Sequence, residues 1–456
     1  MYTFELKIPR IVLAGTTSGV GKTSITCGII YALKKNGYSI QPFKVGPDYI
    51  DPSYLATISG KDVYNLDVWL MGKKHLLESF VSHSKSDISI IEGVMGYYDG
   101  FEGNSNFAST HHVATITESP VILVLDASKA ARSVAATALG FIKFHNNSRI
   151  KGIILNKIAS KKHEILCRQS LEKLRLPIIG VIYKNSDLDL QSRHLGLIPA
   201  TKNISLQKKI KDTAKIISNS LDIEKILQII QSPIPLKLNI RKLPKNSKTT
   251  IGVALDNSFN FYYRDNLEAL TQEGAKLKFF SPTTNSNLPS CDGIYIGGGF
   301  PEILGESLEK NHIMRKKIKQ FSEKNHPIYA ECGGLMYLTK SIHYDKNKHK
   351  MVGIFDAETI MTKKMKLNYT KGTIVSKNIL SNKKANIQGH EFHYSKLESI
   401  SSDSKFAYDL KIGEGIKNHL DGMIEYNTLA SYGHLYFKSS DYAKNFVENC
   451  LKISRK

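Results

Sequence analysis

A chain of 456 residues is long enough for two or three domains, and its 41% hydrophobic and 23% charged residues are ordinary for globular protein. That composition argues against long disorder, collagen-like repeats and coiled coil. The formal charge of +22 is unusual, but it comes mostly from lysines spread along the chain, so a nucleic-acid binder is disfavoured against an enzyme for an anionic small molecule.

Taken in chain order, short apolar runs recur at residues 11–14, 40–45, 88–91, 121–125, 152–155 and 178–182. None approaches the ~18–20 residues of a membrane helix, and the opening residues, which lead into a strand, lack signal-peptide architecture. A helical pattern at 24–35 is stopped by Asn36-Gly37. Apolar strands alternating with helices imply a parallel sheet covered on both faces. A proline-punctuated stretch from Ser232 to Asn246 has the composition of a linker. A second series follows, with strands at 251–255, 277–280, 293–296 and 327–330 and a helix near 262–273. Further strand-like segments lie at 353–358, 372–375, 388–394 and 422–426. The fold class is therefore α/β with two domains: a phosphate-loop domain over 1–235, a linker over 236–247 and a second α/β domain over 248–456. Five scattered cysteines (27, 167, 291, 332 and 450) argue against a disulfide framework or a structural zinc site, and the chain reads as cytoplasmic.

The first strand runs into Gly15-Thr16-Thr17-Ser18-Gly19-Val20-Gly21-Lys22-Thr23 and then a helix. Glycines let backbone N–H groups wrap a phosphate, the helix terminus adds positive potential, Lys22 neutralises phosphate oxygens and Thr23 can ligate Mg²⁺. Thr16 stands where the usual first glycine would be, a variant that resembles the loop of dethiobiotin synthetases and partition-type ATPases. Asp48 and Asp51 follow the second strand, and Glu92, with Asp99 shortly after, follows the third. Strand ends of a parallel sheet converge on one edge, so these carboxylates face the polyphosphate through Mg²⁺ or orient a substrate. Either aspartate alone would also serve as a turn cap beside Pro47 or Pro52. Asn156-Lys157 resembles a base-reading pair, and Ala159 in place of a guanine-reading Asp favours adenine.

In the second half, Pro327-Ile328-Tyr329-Ala330-Glu331-Cys332-Gly333-Gly334 reads as strand, sharp turn and helix with a cysteine at the turn. This is the logic of a nucleophile elbow, and the helix N-terminus would favour the thiolate. Gly298 and Gly299, within Gly297-Gly298-Gly299-Phe300-Pro301-Glu302, are candidates for an oxyanion hole, and His434 for the general base. His390-Glu391-Phe392-His393 lacks zinc-protease spacing. Period 2 puts the two histidines on opposite strand faces, in a structural or interface role.

These motifs, with Val-Gly-Pro-Asp-Tyr-Ile-Asp-Pro (45–52), Glu-Gly-Val-Met-Gly-Tyr-Tyr-Asp-Gly (92–100) and Gly-His-Glu-Phe-His-Tyr-Ser (389–395), occur in an order that resembles the cobyrinic acid a,c-diamide synthases over nearly the full length. The resemblance implies an ATP-dependent amidoligase followed by a class I-type glutamine amidotransferase, with ATP as substrate and Mg²⁺ as cofactor. Cys332 would release ammonia from L-glutamine through a thioester. The first domain would activate a carboxylate of a tetrapyrrole polycarboxylate as an acyl phosphate, with Asp48, Tyr49 and Asp51 in the substrate-activation motif, and Thr23, Asp48 and Glu92 as candidate metal ligands. Tyr436 stands two residues after His434, where ordinary members carry the triad acid, so a Cys–His dyad is expected. Enzymes for Ni-sirohydrochlorin or hydrogenobyrinic acid share these motifs. A partition-type ATPase switch is the remote alternative, and neither nucleic acid nor membrane is expected as a partner.

Overall fold

The computed structural model describes residues 3–188, 204–231, 233–239, 248–382 and 384–454, which divide into two compact units, Met1–Arg241 and Lys242–Lys456. The first unit contains β1 (Thr3–Leu6), β2 (Arg10–Gly15), β3 (Ile40–Val45), β4 (Tyr64–Leu66), β5 (Ile88–Glu92), β6 (Val121–Asp126), β7 (Ile150–Ile158), β8 (Ile178–Tyr183) and β9 (Leu236–Asn239). Seven of these form a sheet in the order β4-β3-β5-β2-β6-β7-β8, parallel throughout. β2, β3 and β5 are buried at every position, as strands covered on both faces must be. On one face α1 (Lys22–Lys35) packs Ile25, Ile29 and Leu33 against Ile11, Leu13, Ile90 and Val124.

The expected linker is corrected at its start. Leu236–Asn239 is a strand, antiparallel to β1, so the chain re-pairs with its own first residues before leaving the unit. The remainder, 240–247, lies outside the described residues.

The second unit is built on β10 (Thr249–Ala254), β11 (Ala275–Phe280), β12 (Gly293–Ile296), β13 (Ile328–Glu331), β14 (Ser341–Tyr344), β15 (Asn347–Lys350), β16 (Glu358–Ile374), β17 (Asn386–Glu398), β18 (Lys405–Ile412), β19 (Leu420–Glu425), β20 (Thr428–Ser431) and β21 (His434–Leu435). The parallel core runs β11-β10-β12-β13-β20, and antiparallel β19, β18, β16 and β17 extend it. Period 2 sorts the core strands between two apolar layers. Val253, Tyr295, Tyr329 and Leu429 belong to one layer, and Ala254, Ile296, Ala330 and Ala430 to the other. Two expected strands fare differently: 353–357 is irregular, whereas 372–375 falls largely within the 17-residue β16. Glu331 follows Tyr329 on its face, at the C-terminal end of β13, and this placement governs the site.

Candidate active site

In the first unit, β2 ends at Gly15 and α1 begins at Lys22, so the loop between them presents Thr17, Ser18 and Gly19 to solvent. Gly21 has φ +92°, and a Cβ there would lie 2.5 Å from the Asn156 amide nitrogen; only glycine fits this cap. The buried Lys22 ammonium donates to the carbonyls of Thr17 (3.1 Å) and Met95 (2.5 Å), which holds it beneath the loop. Burial, followed by the charge of Lys44, lowers its pKa to about 8.

The carboxylates converge as expected, but around a lysine. Lys44, near the end of β3 and 2% exposed, donates to Glu92 Oε1 (2.6 Å) and Asp51 (2.7 Å), with Asp48 at 3.7 Å. Thr23 Oγ1 donates to the same Glu92 oxygen at 2.8 Å. Burial and the neighbouring Asp51 push Asp48 up to about 7, and burial also raises Glu92. For Asp51 burial is outweighed by Lys44 and by hydrogen bonds, so its pKa falls below the usual carboxylate range. Asp48 Oδ1 also accepts from the backbone N–H groups of Ile50 and Asp51, so the turn-cap reading holds for that oxygen. Tyr49 sits half-buried between them. Asp99 accepts from Gly96 N–H within its own turn. Asn156 braces the loop: its amide donates to the Val20 carbonyl (2.8 Å) and its oxygen accepts from Lys157 N–H. Each end of the carboxamide has capacity for one further hydrogen bond.

In the second unit Cys332 follows β13 with φ +48° and ψ −103°, a conformation costly for a residue with a Cβ and characteristic of a functional elbow. The expected thiolate is corrected. Burial, then the charge of Glu302, pushes the Cys332 thiol well above the ordinary cysteine value, outweighing the backbone N–H of Gly333. The thiol donates instead to the Phe392 carbonyl at 3.3 Å. Gly298 is also corrected as an oxyanion donor, since its N–H pairs with the Phe261 carbonyl (3.3 Å). Its role is to be small, because a Cβ there would lie 2.6 Å from His434 Cε1. Gly299 lines the cavity over Cys332.

His434 is fully buried. Asp421 accepts N–H groups from Tyr432 and Gly433 and so shapes the turn that delivers it. Its Nδ1 faces Glu331 Oε2 at 3.4 Å. The same carboxylate accepts from Tyr295 OH (2.9 Å), Tyr329 OH (2.7 Å) and Leu435 N–H (3.1 Å). The residue that precedes Cys332 therefore stands where a triad acid would act. His390 borders the same histidine, stacking on it at 5.0 Å while Nδ1 meets Tyr263 OH at 3.0 Å. Burial and His434 hold His390 neutral. His393 lines the cavity over Cys332, so both histidines lie close to the site.

Sequence reasoning missed Lys44, Glu331 and His390 as site residues. For Lys44 and Glu331 the available signal was an ionisable residue inside a largely apolar strand; His390 lies in a polar strand and carries no such signal.

Together these features define a two-unit enzyme class: a phosphate-loop nucleotide-binding domain joined to a glutamine amidotransferase domain. Residues 11–198 match the CobQ/CobB/MinD/ParA nucleotide binding domain, and residues 250–442 the CobB/CobQ-like glutamine amidotransferase domain. The chain is 41% identical over 451 residues to the cobyrinate a,c-diamide synthase of Methanosphaera stadtmanae, covering 96% of this chain and 98% of that one. The synthases of Methanosarcina barkeri (39%; 97% and 96% covered) and Caldanaerobacter subterraneus (40%; 98% and 99% covered) are similar over the same extent. The chain belongs to the cobyrinate a,c-diamide synthase family, the glutamine-dependent amidoligases of cobalamin biosynthesis. No helix among the described residues is long and apolar enough to cross a membrane.

Proposed function

We propose that this chain amidates the a and c acetate carboxylates of cobyrinate, using ATP in the first unit and glutamine in the second. The observation that carries the reading is a cysteine in a strained elbow directly after Glu331, whose carboxylate faces the buried His434. Once Sγ leaves the Phe392 carbonyl, His434 takes its proton. The sulfur attacks the glutamine carboxamide carbon, and the same proton leaves with ammonia. Glu331 holds His434 with its proton on Nδ1 and stabilises the imidazolium. The amide of Gly299, which lines the cavity, and that of Gly333, which already acts on the Cys332 sulfur, are the candidate donors for the oxyanion. Water then cleaves the γ-glutamyl thioester to glutamate.

In the first unit Lys22 and the loop amides would hold the ATP phosphates while the γ-phosphoryl passes to the substrate carboxylate. Ammonia attacks the acyl phosphate, releasing phosphate and leaving the amide. Glu92 Oε2 is buried with no hydrogen-bond partner among the described residues, which suits an oxygen meant for a cation. Thr23, Asp48 and Glu92 are the residues that would hold Mg²⁺, which supplies charge neutralisation on phosphate oxygens when bound.

Two variants test the division of labour. Cys332→Ala should abolish glutamine-driven amidation and retain amidation driven by ammonium. Lys22→Ala should lose both, with the product followed by mass. Full glutamine-driven activity in the first, or normal ammonium-driven activity in the second, would refute the assignment.

A further inference from the structure

Beside Cys332 lies a carboxylate with no established use. Glu302 closes the Gly297–Glu302 turn after β12 and is 7% exposed. Its Oε2 is buried and has no hydrogen-bond partner among the described residues. Burial pushes the Glu302 carboxyl up to about 7, so it sits near the balance between acid and carboxylate, and an unpaired group of this kind persists where a ligand completes it. Glu302 and Cys332 line the same cavity, together with Phe300, Met361, Phe392 and His393.

His393 adds a second acceptor. Its Nδ1 lies 2.8 Å from the Ser395 carbonyl and so carries the proton, which leaves Nε2 as a bare acceptor. That Nε2 is likewise buried without a partner among the described residues. Stacking on Tyr432, with ring centroids 3.7 Å apart and planes 6° from parallel, fixes the ring. The cavity thus offers the Cys332 thiol, an apolar wall and two unsatisfied acceptors, one of them a carboxyl group that a cation would hold ionised. The cavity as it stands has room for about one water, about 10 Å³, so its wall must give for a substrate to enter; the chemistry of its lining suits a short aliphatic chain with a carboxamide at one end and an ammonium group at the other.

We propose that Glu302 binds the α-ammonium group of glutamine, with His393 Nε2 as a second acceptor, and thereby sets the preference for an amino-acid amide. The proposal rests on the reading that Cys332 cleaves glutamine.

The test compares hydrolysis of glutamine with that of glutaramate, which is glutamine without its α-amino group, in the full-length protein. Wild type should prefer glutamine by about 100-fold or more in kcat/KM, as loss of a charge-assisted hydrogen bond predicts. In Glu302→Gln, glutamine turnover should fall by a similar factor while glutaramate turnover changes less than about threefold, with Glu302→Asp restoring part of the preference. Equal use of both substrates by wild type refutes the proposal even if no variant folds. An equal fall for both in a folded Glu302→Gln, or an unchanged preference, refutes it too. Glutamine hydrolysis that persists in Cys332→Ala overturns the underlying reading of the site, and the proposal with it.

Discussion

Glu331→Gln isolates the charge that orients His434. The two side chains have the same shape, so the carboxamide oxygen can still accept from Tyr329 OH and Leu435 N–H, while its NH₂ group turns toward Tyr295 and His434. An NH₂ facing Nδ1 favours the tautomer with the proton on Nε2, which cannot take the proton of Cys332. A unit charge 3.4 Å from the imidazolium at an effective dielectric of about 20 is worth roughly 5 kcal/mol. Spreading that charge over two oxygens, with other donors competing for it, reduces the expected loss to about 4 kcal/mol, or roughly a thousandfold in rate. The assay is steady-state glutamine hydrolysis, with ammonium-driven amidation as the internal control. A variant that hydrolyses glutamine within about threefold of wild type would refute the orienting role, because such a ratio is worth under about 1 kcal/mol.

Lys44→Met should destabilise the first unit, because Glu92 and Asp51 would keep their buried charges without the cation 2.6 and 2.7 Å away. Breaking a buried ionic cluster costs about 3–5 kcal/mol, or roughly 10 °C in melting temperature for a unit of this size. The deficit should be larger at pH 8 than at pH 6: Asp48 and Glu92 already have raised pKa values, and protonation removes the repulsion. Equal deficits at the two pH values would contradict this account. For Lys22, a pKa of about 8 in the free protein means that ATP binding should take up close to half a proton at pH 8 and little at pH 6.5. Calorimetry in buffers of different ionisation enthalpy reads this, and no uptake at pH 8 would show that Lys22 is already fully charged. The +22 charge should make kcat/KM for the tetrapyrrole fall with added salt, while the KM for zwitterionic glutamine changes much less. Equal sensitivity would mean that the lysines do not steer the substrate.

The phosphate loop and the cysteine elbow were legible because each is a local strand–turn–helix device whose residue types are dictated by its own backbone. Gly21 and Cys332 carry their strain within a few residues of sequence. The partners of these devices were not legible for the opposite reason. Glu331 meets His434 across 103 positions, and Lys44 meets Glu92 across 48, so only the assembled sheet shows that a charge inside an apolar strand is satisfied. Strand β9 escaped notice because its partner lies at the other end of the unit and its proline-rich approach has linker composition. The long β16–β17 pair was read as short pieces because its middle, from Met361 to Lys366, is lysine-rich, exposed and interrupted by a register shift. Periodicity reports burial, and this segment has little.

The proposed nucleophile, kept as a buried thiol, is also a poor target for oxidants. Peroxides and alkylating reagents attack the thiolate, and Cys332 is 4% exposed with its hydrogen on a carbonyl. The parking that idles glutamine cleavage therefore shields the sulfur from sulfenic acid formation between turnovers. Of the five cysteines only Cys291 is partly open to solvent. The resting protein thus carries its reactive sulfur in the chemically quiet form, and chemical vulnerability at Cys332 is confined to the interval in which it is working.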